Sequence, residues 1–247
     1  MKQGLTIKWL ETVDSTQDEI HRQLEVLANL SVVAALDQTA GRGQRGNRWE
    51  TRPGENLTFS FLLRPGQDGI RPIPASDQFL LSEIATLAMH ETLSDFNIPT
   101  QIKWPNDIYA GDRKICGMLI ENNLRGRTVA HSIIGIGLNV NQTRFNPGLI
   151  NPVSMKKITG ETYDIRAVLD HCLAHFCEGL DADRQQIRAR YLSNLYRMGQ
   201  LHSYTDCKTG TVFDGTITGI SERGLLCVEM PDKSIREFGF KEISYII

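Results

Sequence analysis

The run Ile133–Asn141, IIGIGLNVN, constrains the fold more than any other part of the chain. Ile134, Ile136, Leu138 and Val140 fall on one side of an extended segment, and Gly135, Gly137, Asn139 and Asn141 on the other. A period of two over this length predicts a strand, read here over Ser132–Asn141, with its aliphatic side in a core. Glycines inside a strand pack nothing and weaken it, so such a face marks the close approach of another backbone or of a ligand. From this strand alone both readings stay open. Gly117 lies in a second predicted strand, Ile115–Glu121, on the side of Ile115 and Leu119, so a neighbouring strand can open space as well.

Other segments supply the partners for such a sheet. The capping box Thr16-Gln-Asp-Glu19, followed by Ile20, Leu24 and Leu27, predicts a helix over 16–28. Ser31–Leu36 reads as a buried strand. Asn56–Leu63 reads as another, with Leu57, Phe59, Phe61 and Leu63 on one face. A long amphipathic helix starts near Ser76 and carries Leu80, Ile84, Leu87, Ala88 and Glu91. Short strands are expected near Gln101–Trp104 and Asp107–Ala110, and helices near Ile165–Leu180 and Asp183–Arg197. Strands interspersed with helices in this way predict an α+β domain with a mixed sheet. Beyond Gly199 the texture changes: Gly210–Ile220, Gly224–Met230 and Ile235–Phe240 suggest a small β-barrel. The expected division is therefore 1–198 and 199–247.

A chain of 247 residues can bury roughly 70–75% of its unfolded surface and needs no disulfide or metal to hold a core. The formal net charge of -2 argues against an electrostatic grip on DNA. No apolar run approaches membrane-spanning length, and the start has no signal-like apolar stretch. Five scattered cysteines with no CxxC pair read as reduced thiols in a cytoplasmic protein.

Two polar segments carry candidate chemistry. In Gly41–Trp49, GRGQRGNRW, three glycines permit sharp turns and close backbone approach, while Arg42, Arg45 and Arg48 offer guanidinium groups to phosphate or carboxylate oxygens. Mutual repulsion among those arginines predicts a loop that orders only over an anion. The loop alone specifies an anion without saying which. In Lys103–Asp107, KWPND, Pro105, Asn106 and Asp107 have turn chemistry. A hairpin loop at Ala110–Arg113 then delivers Lys114 to the start of KICGMLIE.

Taken together, Gly41–Trp49, Lys103–Asp107, Lys114–Glu121 and Ile134–Asn139 resemble, in order and spacing, the motifs of the biotin–protein ligase family, over essentially the whole chain. The resemblance implies a catalytic domain like that of class II aminoacyl-tRNA synthetases and biotin–lipoate ligases, with a C-terminal SH3-like barrel. It also implies an ATP- and Mg²⁺-dependent reaction in which biotin becomes biotinyl-AMP and passes to a lysine of a biotin carboxyl carrier protein. Lys114, Arg42 and Asp107 would be the catalytic set. Lys114 would bridge the biotin carboxylate and the α-phosphate, and Asp107 would orient the incoming amine. Arg42, Arg45, Asn106, Lys114 and Asn139 would serve the nucleotide. Ser15, Thr16, Gln17 and Gln38 would meet the ureido ring. Gly41, Arg42, Trp49, Lys114, Gly117, Gly135 and Gly137 would complete the biotin pocket. No metal ligands are assigned. The resemblance also allows a homodimer.

The chain departs from the family pattern at Gln17, where asparagine is common, and at Gln44, where arginine is. The motif block begins near Asp14, which leaves no room for the helix-turn-helix domain of some members, so no DNA partner is expected. His171 and His175 lie one helical turn apart but off the apolar stripe of their helix, and read as surface histidines. The rival functions are a lipoate–protein ligase and a non-catalytic RNA- or nucleotide-binding module built on the arginine loop.

Overall fold

The structure, a computed structural model, describes residues 5–247 apart from the Arg45 side chain. The chain runs β1 (Thr6–Val13), α1 (Thr16–Arg22), β2 (Ser31–Gln38), β3 (Leu57–Leu63), α2 (Leu80–Asp95), β4 (Gln101–Lys103), β5 (Asp107–Ala110), β6 (Arg113–Arg125) and β7 (Thr128–Leu138). Helices α3 (Met155–Thr159), α4 (Ile165–Asp181) and α5 (Arg184–Ser193) follow. Strands β8 (Leu201–Asp206), β9 (Val212–Ile220), β10 (Leu226–Glu229), β11 (Ile235–Phe238) and β12 (Ile243–Tyr245) end the chain. Strands β1 to β7 form one mixed sheet in the order β1-β2-β3-β7-β6-β5-β4, with only β1 and β2 parallel.

The alternation read from the sequence decides which way this sheet faces. Leu57, Phe59, Phe61 and Leu63 of β3, with Ile134, Ile136 and Leu138 of β7, lie in one core with α2 and α4. The Phe61 and Phe176 rings there are 4.7 Å apart. On the opposite face Leu62, Val33 and Ile133 pack under Ile20 of α1. Because α1 covers only part of that face, the β3–β7–β6 centre beyond it is left to the loops. Thr58 of β3, Gly137 of β7 and Gly117 of β6 form one row across these strands. Ser60, Gly135 and Leu119 form the next.

Three expectations are corrected. Helix α1 ends at Arg22, not near 28, since the guanidinium of Arg64 takes the carbonyls of Leu24 and Leu27. Its cap is Ser15, one residue earlier than the capping box implied, which leaves the Thr16 side chain for other bonds. The C-terminal strands make an open sheet, β11-β10-β9-β8-β12, and not a closed barrel. Its edge strands β11 and β12 are short, and no ladder joins them. Three strands and one helix, β1, β8, β12 and α3, were not anticipated.

The second sheet shares the core of the first through Tyr204, Ile217, Leu226, Val228 and Phe238. Two polar fastenings hold it as well: Trp104 Nε1 donates to the Gly224 carbonyl at 2.9 Å, and Arg188 donates to the carbonyls of Ile220 and Ser221. Arg188 is itself oriented by Glu83, whose fully buried carboxylate also holds Arg184, both at 2.7 Å. Removing one member of such a set strands the others. Glu83→Ala is therefore expected to cost about 3 kcal/mol, read from the urea midpoint at unchanged slope. A change below 0.5 kcal/mol would show the network to be dispensable.

Candidate functional site

The trough in the sheet begins where side chains stop. Gly117 and Gly137 are direct cross-strand partners, so two adjacent positions on the open face carry no Cβ. The Trp49 indole lies over them. A Cβ placed on Gly137 would overlap the indole, and one on Gly117 would come within 3.1 Å of Trp49 Cζ3 and 2.9 Å of Lys114 Nζ. Trp49 Nε1 is buried there with no hydrogen-bond partner among the described residues. A buried donor is normally satisfied, so an orphan N–H marks a place built for more than packing.

One end of the trough is polar and closely bonded. Thr16 donates its backbone N–H to Gln38 Oε1 at 2.8 Å, and its hydroxyl lies 2.8 Å from Ser60 Oγ and 3.1 Å from Gln38 Oε1. Ser60 donates to Gln17 Oε1 at 3.2 Å. Gln17 Nε2 donates to Glu121 Oε2 at 3.0 Å and to the Ile133 carbonyl at 3.1 Å. Thr16, Gln17 and Ser60 are buried. Ser15 belongs here only as the cap of α1. The ladder sets these side chains side by side: Ser60 pairs with Gly135, and Gln17 Oε1 lies over Gly135, where a Cβ would strike it. Gln38 Nε2 lies 3.1 Å from where a Cβ on Gly41 would sit.

The other end carries the cation. Lys114 Nζ is 2.7 Å from Asp107 Oδ1 and 5.9 Å from the centre of the Trp49 ring. Its backbone is pinned on both sides, N–H to the Asn151 carbonyl and carbonyl to the Val153 N–H. That pinning segment is braced by Asn139, whose Nδ2 donates to the Val153 carbonyl and whose carbonyl receives the Met155 N–H. Asn139 thus supports Lys114 from behind. Asn106 sits in the turn between β4 and β5, which contains the cis Trp104–Pro105 bond, and Asp107 is the first residue of β5.

The glycine–arginine loop is folded over this arrangement. It closes on itself, Gly43 N–H to the Asn47 carbonyl and Trp49 N–H to the Gly41 carbonyl. Two side chains fasten it. Gln44 Nε2 donates to Asn106 Oδ1 at 2.8 Å and to the Met118 carbonyl at 3.0 Å, so the neutral residue noted in the sequence staples the loop to the KWPND turn. Arg42 pairs with Asp18 of α1 at 2.7 Å and with Glu121 of β6 at 2.9 Å. The Arg45 side chain lies outside the described residues. Burial raises the Glu121 pKa, but hydrogen bonds from His21 and Gln17 and the Arg42 charge outweigh it and leave the carboxyl below the ordinary range.

Ser60 and Glu121 are the site residues that the sequence reading passed over. Ser60 was legible as the polar partner of Phe59 and Phe61 in an alternating strand. Glu121 closes the Lys114–Glu121 motif, but its role was not legible there because it depends on α1 lying beside β6. The two histidines of α4 both bond Asp95 Oδ2 at 2.8 Å, away from this site.

The known proteins match this arrangement. A profile of the biotin/lipoate A/B protein ligase family covers residues 9–139, which hold the loop, the KWPND turn, Lys114 and the glycine strand. The chain belongs to that family. It is 31% identical to the biotin–[acetyl-CoA-carboxylase] ligase of Paracoccus denitrificans over 90% of this chain and 93% of that protein. It is also 31% identical to the bifunctional ligase/repressor BirA of Bacillus subtilis, over 92% of this chain and 70% of that one. The structure of the biotin protein ligase from Aquifex aeolicus in complex with biotin and ATP superposes with a TM-score of 0.77 at 27% identity, covering 96% of this chain and 97% of that chain.

In this ligase-family chain the packing of Trp49 over Gly137 can be tested without a ligand. Gly137→Ala should cost about 1–3 kcal/mol, the range for overpacking. In a Trp49→Ala background the same change should cost almost nothing, because the atoms it strikes are gone. Equal costs in both backgrounds, from denaturant unfolding, would show that the indole does not occupy the trough.

Proposed function

We propose that this site joins biotin to ATP as biotinyl-AMP and transfers the biotinyl group to a lysine on the biotin carboxyl carrier domain of a carboxylase. The observation that carries the reading is the order of chemistry along the trough. Hydroxyl and amide groups of Thr16, Gln17, Gln38 and Ser60 stand at one end, the bare Gly137–Gly117 floor under Trp49 in the middle, and Lys114 at the other. Biotin has the same order: a ureido ring, an apolar body and chain, and a carboxylate. A site built from buried hydrogen-bonding groups should reject lipoate, whose dithiolane has no N–H, by on the order of 10⁴, since those groups would be left unpaired. Family relationship alone would admit either acid. The polar end favours biotin.

In the first step a biotin carboxylate oxygen attacks the α-phosphorus. The new O–P bond forms as the bond to the β-phosphate oxygen breaks, and pyrophosphate leaves. One anion approaches another, so preorganised cations are the main resource. Lys114 exchanges its partner Asp107 for the carboxylate and α-phosphate oxygens. Arg42, with Arg45, contributes on the phosphoryl side, Asn106 lines the nucleotide end, and Asn139 serves that end indirectly by bracing the segment that pins Lys114. Ser15 and Gly41 hold the backbone around the ureido end. In the second step an acceptor lysine amine attacks the biotinyl carbonyl and AMP leaves. Asp107, released by Lys114, is then available to orient that amine.

Among the described residues no cluster of three or more His, Cys, Asp or Glu side chains could hold a metal. That suits a magnesium ion carried by ATP, which binds mainly phosphate oxygens and water and supplies charge neutralisation there. Residues 1–198 would form the catalytic domain and 199–247 a supporting one. No described helix is long and apolar enough to cross a membrane, and the five cysteines are free, in keeping with a cytoplasmic enzyme.

Pyrophosphate exchange into ATP tests the proposal. The exchange should require biotin and ignore lipoate. Lipoate-dependent exchange would reassign the substrate, and no exchange would favour a binding module. Lys114→Ala should keep the fold and lower the biotin-dependent rate by roughly 10²–10³, the usual effect of deleting one transition-state donor. An unchanged rate would remove Lys114 from the mechanism.

A further inference from the structure

Glu121 lies on β6 at the rim of the polar end, and its carboxylate gathers three side chains from two other elements. Gln17 Nε2 and His21 Nε2, both of α1, reach Oε2 at 3.0 and 2.8 Å, and Arg42 of the glycine–arginine loop reaches Oε1 at 2.9 Å. Resting on the ligase reading above, we propose that Glu121 is a positioning residue for ureido recognition: it fixes which end of the Gln17 amide faces the pocket.

The argument is one of donor and acceptor capacity. A glutamine amide can be turned by half a rotation at no steric cost, so only its partners decide the orientation. The Gln17 nitrogen has two hydrogens, and both are taken by groups that can only accept, the Glu121 carboxylate and the Ile133 carbonyl. Turned round, Gln17 Oε1 would face two acceptors across the same distances. Oε1 therefore points the other way, toward Ser60 and the space above Gly135.

The consequence runs further along the row. Ser60 spends its single hydroxyl hydrogen on Gln17 Oε1, so the 2.8 Å contact with Thr16 is a hydrogen bond only when the Thr16 hydroxyl turns its one hydrogen from Gln38 Oε1 to Ser60. Gln38 is fixed independently: its Oε1 receives the Thr16 N–H, which leaves Nε2 on the Gly41 side. The polar end thus presents Gln17 Oε1 as an acceptor and Gln38 Nε2 as a donor. A cyclic urea offers the complement, N–H groups and a carbonyl. Remove the Glu121 carboxylate and the Ile133 carbonyl alone no longer forbids the turned amide. The pocket then loses a defined acceptor without losing its shape.

The experiment compares exchange supported by biotin with exchange supported by a biotin analogue methylated on its ureido nitrogens. The measure is the ratio of the two kcat/KM values. In Glu121→Leu the preference for biotin should fall about tenfold, the value of roughly one defined hydrogen bond. The ratio is the readout because Glu121 also pairs with Arg42, so loss of its carboxylate changes turnover with both acids alike. Glu121→Gln, which keeps an oxygen able to receive the Gln17 N–H, should recover most of the preference and serves as the test if the leucine variant does not fold. A role in packing alone would lower activity toward both acids equally and leave the ratio unchanged. That result, or a glutamine variant no more selective than the leucine one, overturns the positioning role while leaving biotin-dependent exchange intact. Absence of biotin-dependent exchange in the unsubstituted protein overturns the ligase reading, and this inference falls with it.

Discussion

The pairing of Gly117 with Gly137 on adjacent antiparallel strands is the constraint from which the rest of the site follows. Two facing positions without side chains leave a gap in the sheet surface one side chain deep. The strand interior there gives up packing and backbone rigidity, which glycine costs wherever it sits in a ladder. The core under the gap compensates: Ile134, Ile136 and Leu138 are buried against α2 and α4 on the far face. A rigid floor supported from behind can hold a flat group close to the backbone, and here a loop fastened on both sides holds the Trp49 indole against it. Ladder register then fixes distance. The Ser60–Gly135 row lies next to the Thr58–Gly137 row, so the polar end and the apolar floor are adjacent by geometry alone.

Much of this was legible in the sequence because it depends on period and on local turn chemistry. The alternation in β3 and β7 told which face was buried, and the glycines told which face was open. The division of β-rich texture near Gly199 also corresponds to a change of sheet, with β8 beginning at Leu201. What escaped depends on contacts between distant segments. Whether α1 continues past Arg22 is decided by Arg64, on the far end of β3, taking its carbonyls. Whether the last strands close into a barrel depends on pairing between β11 and β12, which no local pattern encodes. Strand β1 alternates poorly because it is an edge strand with no fully buried position.

The site residues divide in the same way. Glycines, the loop arginines, the turn and Lys114 stand in short motifs whose chemistry is local. The functions of Asn139 and Gln44 are not. Asn139 reads as a nucleotide contact in the motif, yet its side chain braces the segment that pins Lys114. Gln44 stands where an arginine is common, and its amide joins the loop to Asn106. A neutral amide can satisfy a backbone carbonyl and a side-chain carbonyl at once, which suits a staple better than a contact to phosphate. Glu121 is the extreme case, with partners in α1 and in the loop.

The cations of the site are held in reserve by carboxylates. Lys114 is paired with Asp107, and Arg42 with Asp18 and Glu121, and all of these side chains are roughly a quarter to two-fifths exposed. Ion pairs with that much solvent contribute little, typically under about 1 kcal/mol each, so releasing them costs little. A fully buried pair would lock the cation, and an unpaired one would leave the loop arginine repelling its neighbours. The arrangement therefore lets an entering carboxylate and triphosphate compete for Lys114 and Arg42 at small expense. In the proposed reaction Asp107 would be freed when Lys114 changes partner, so the first step would prepare the second beside Lys114.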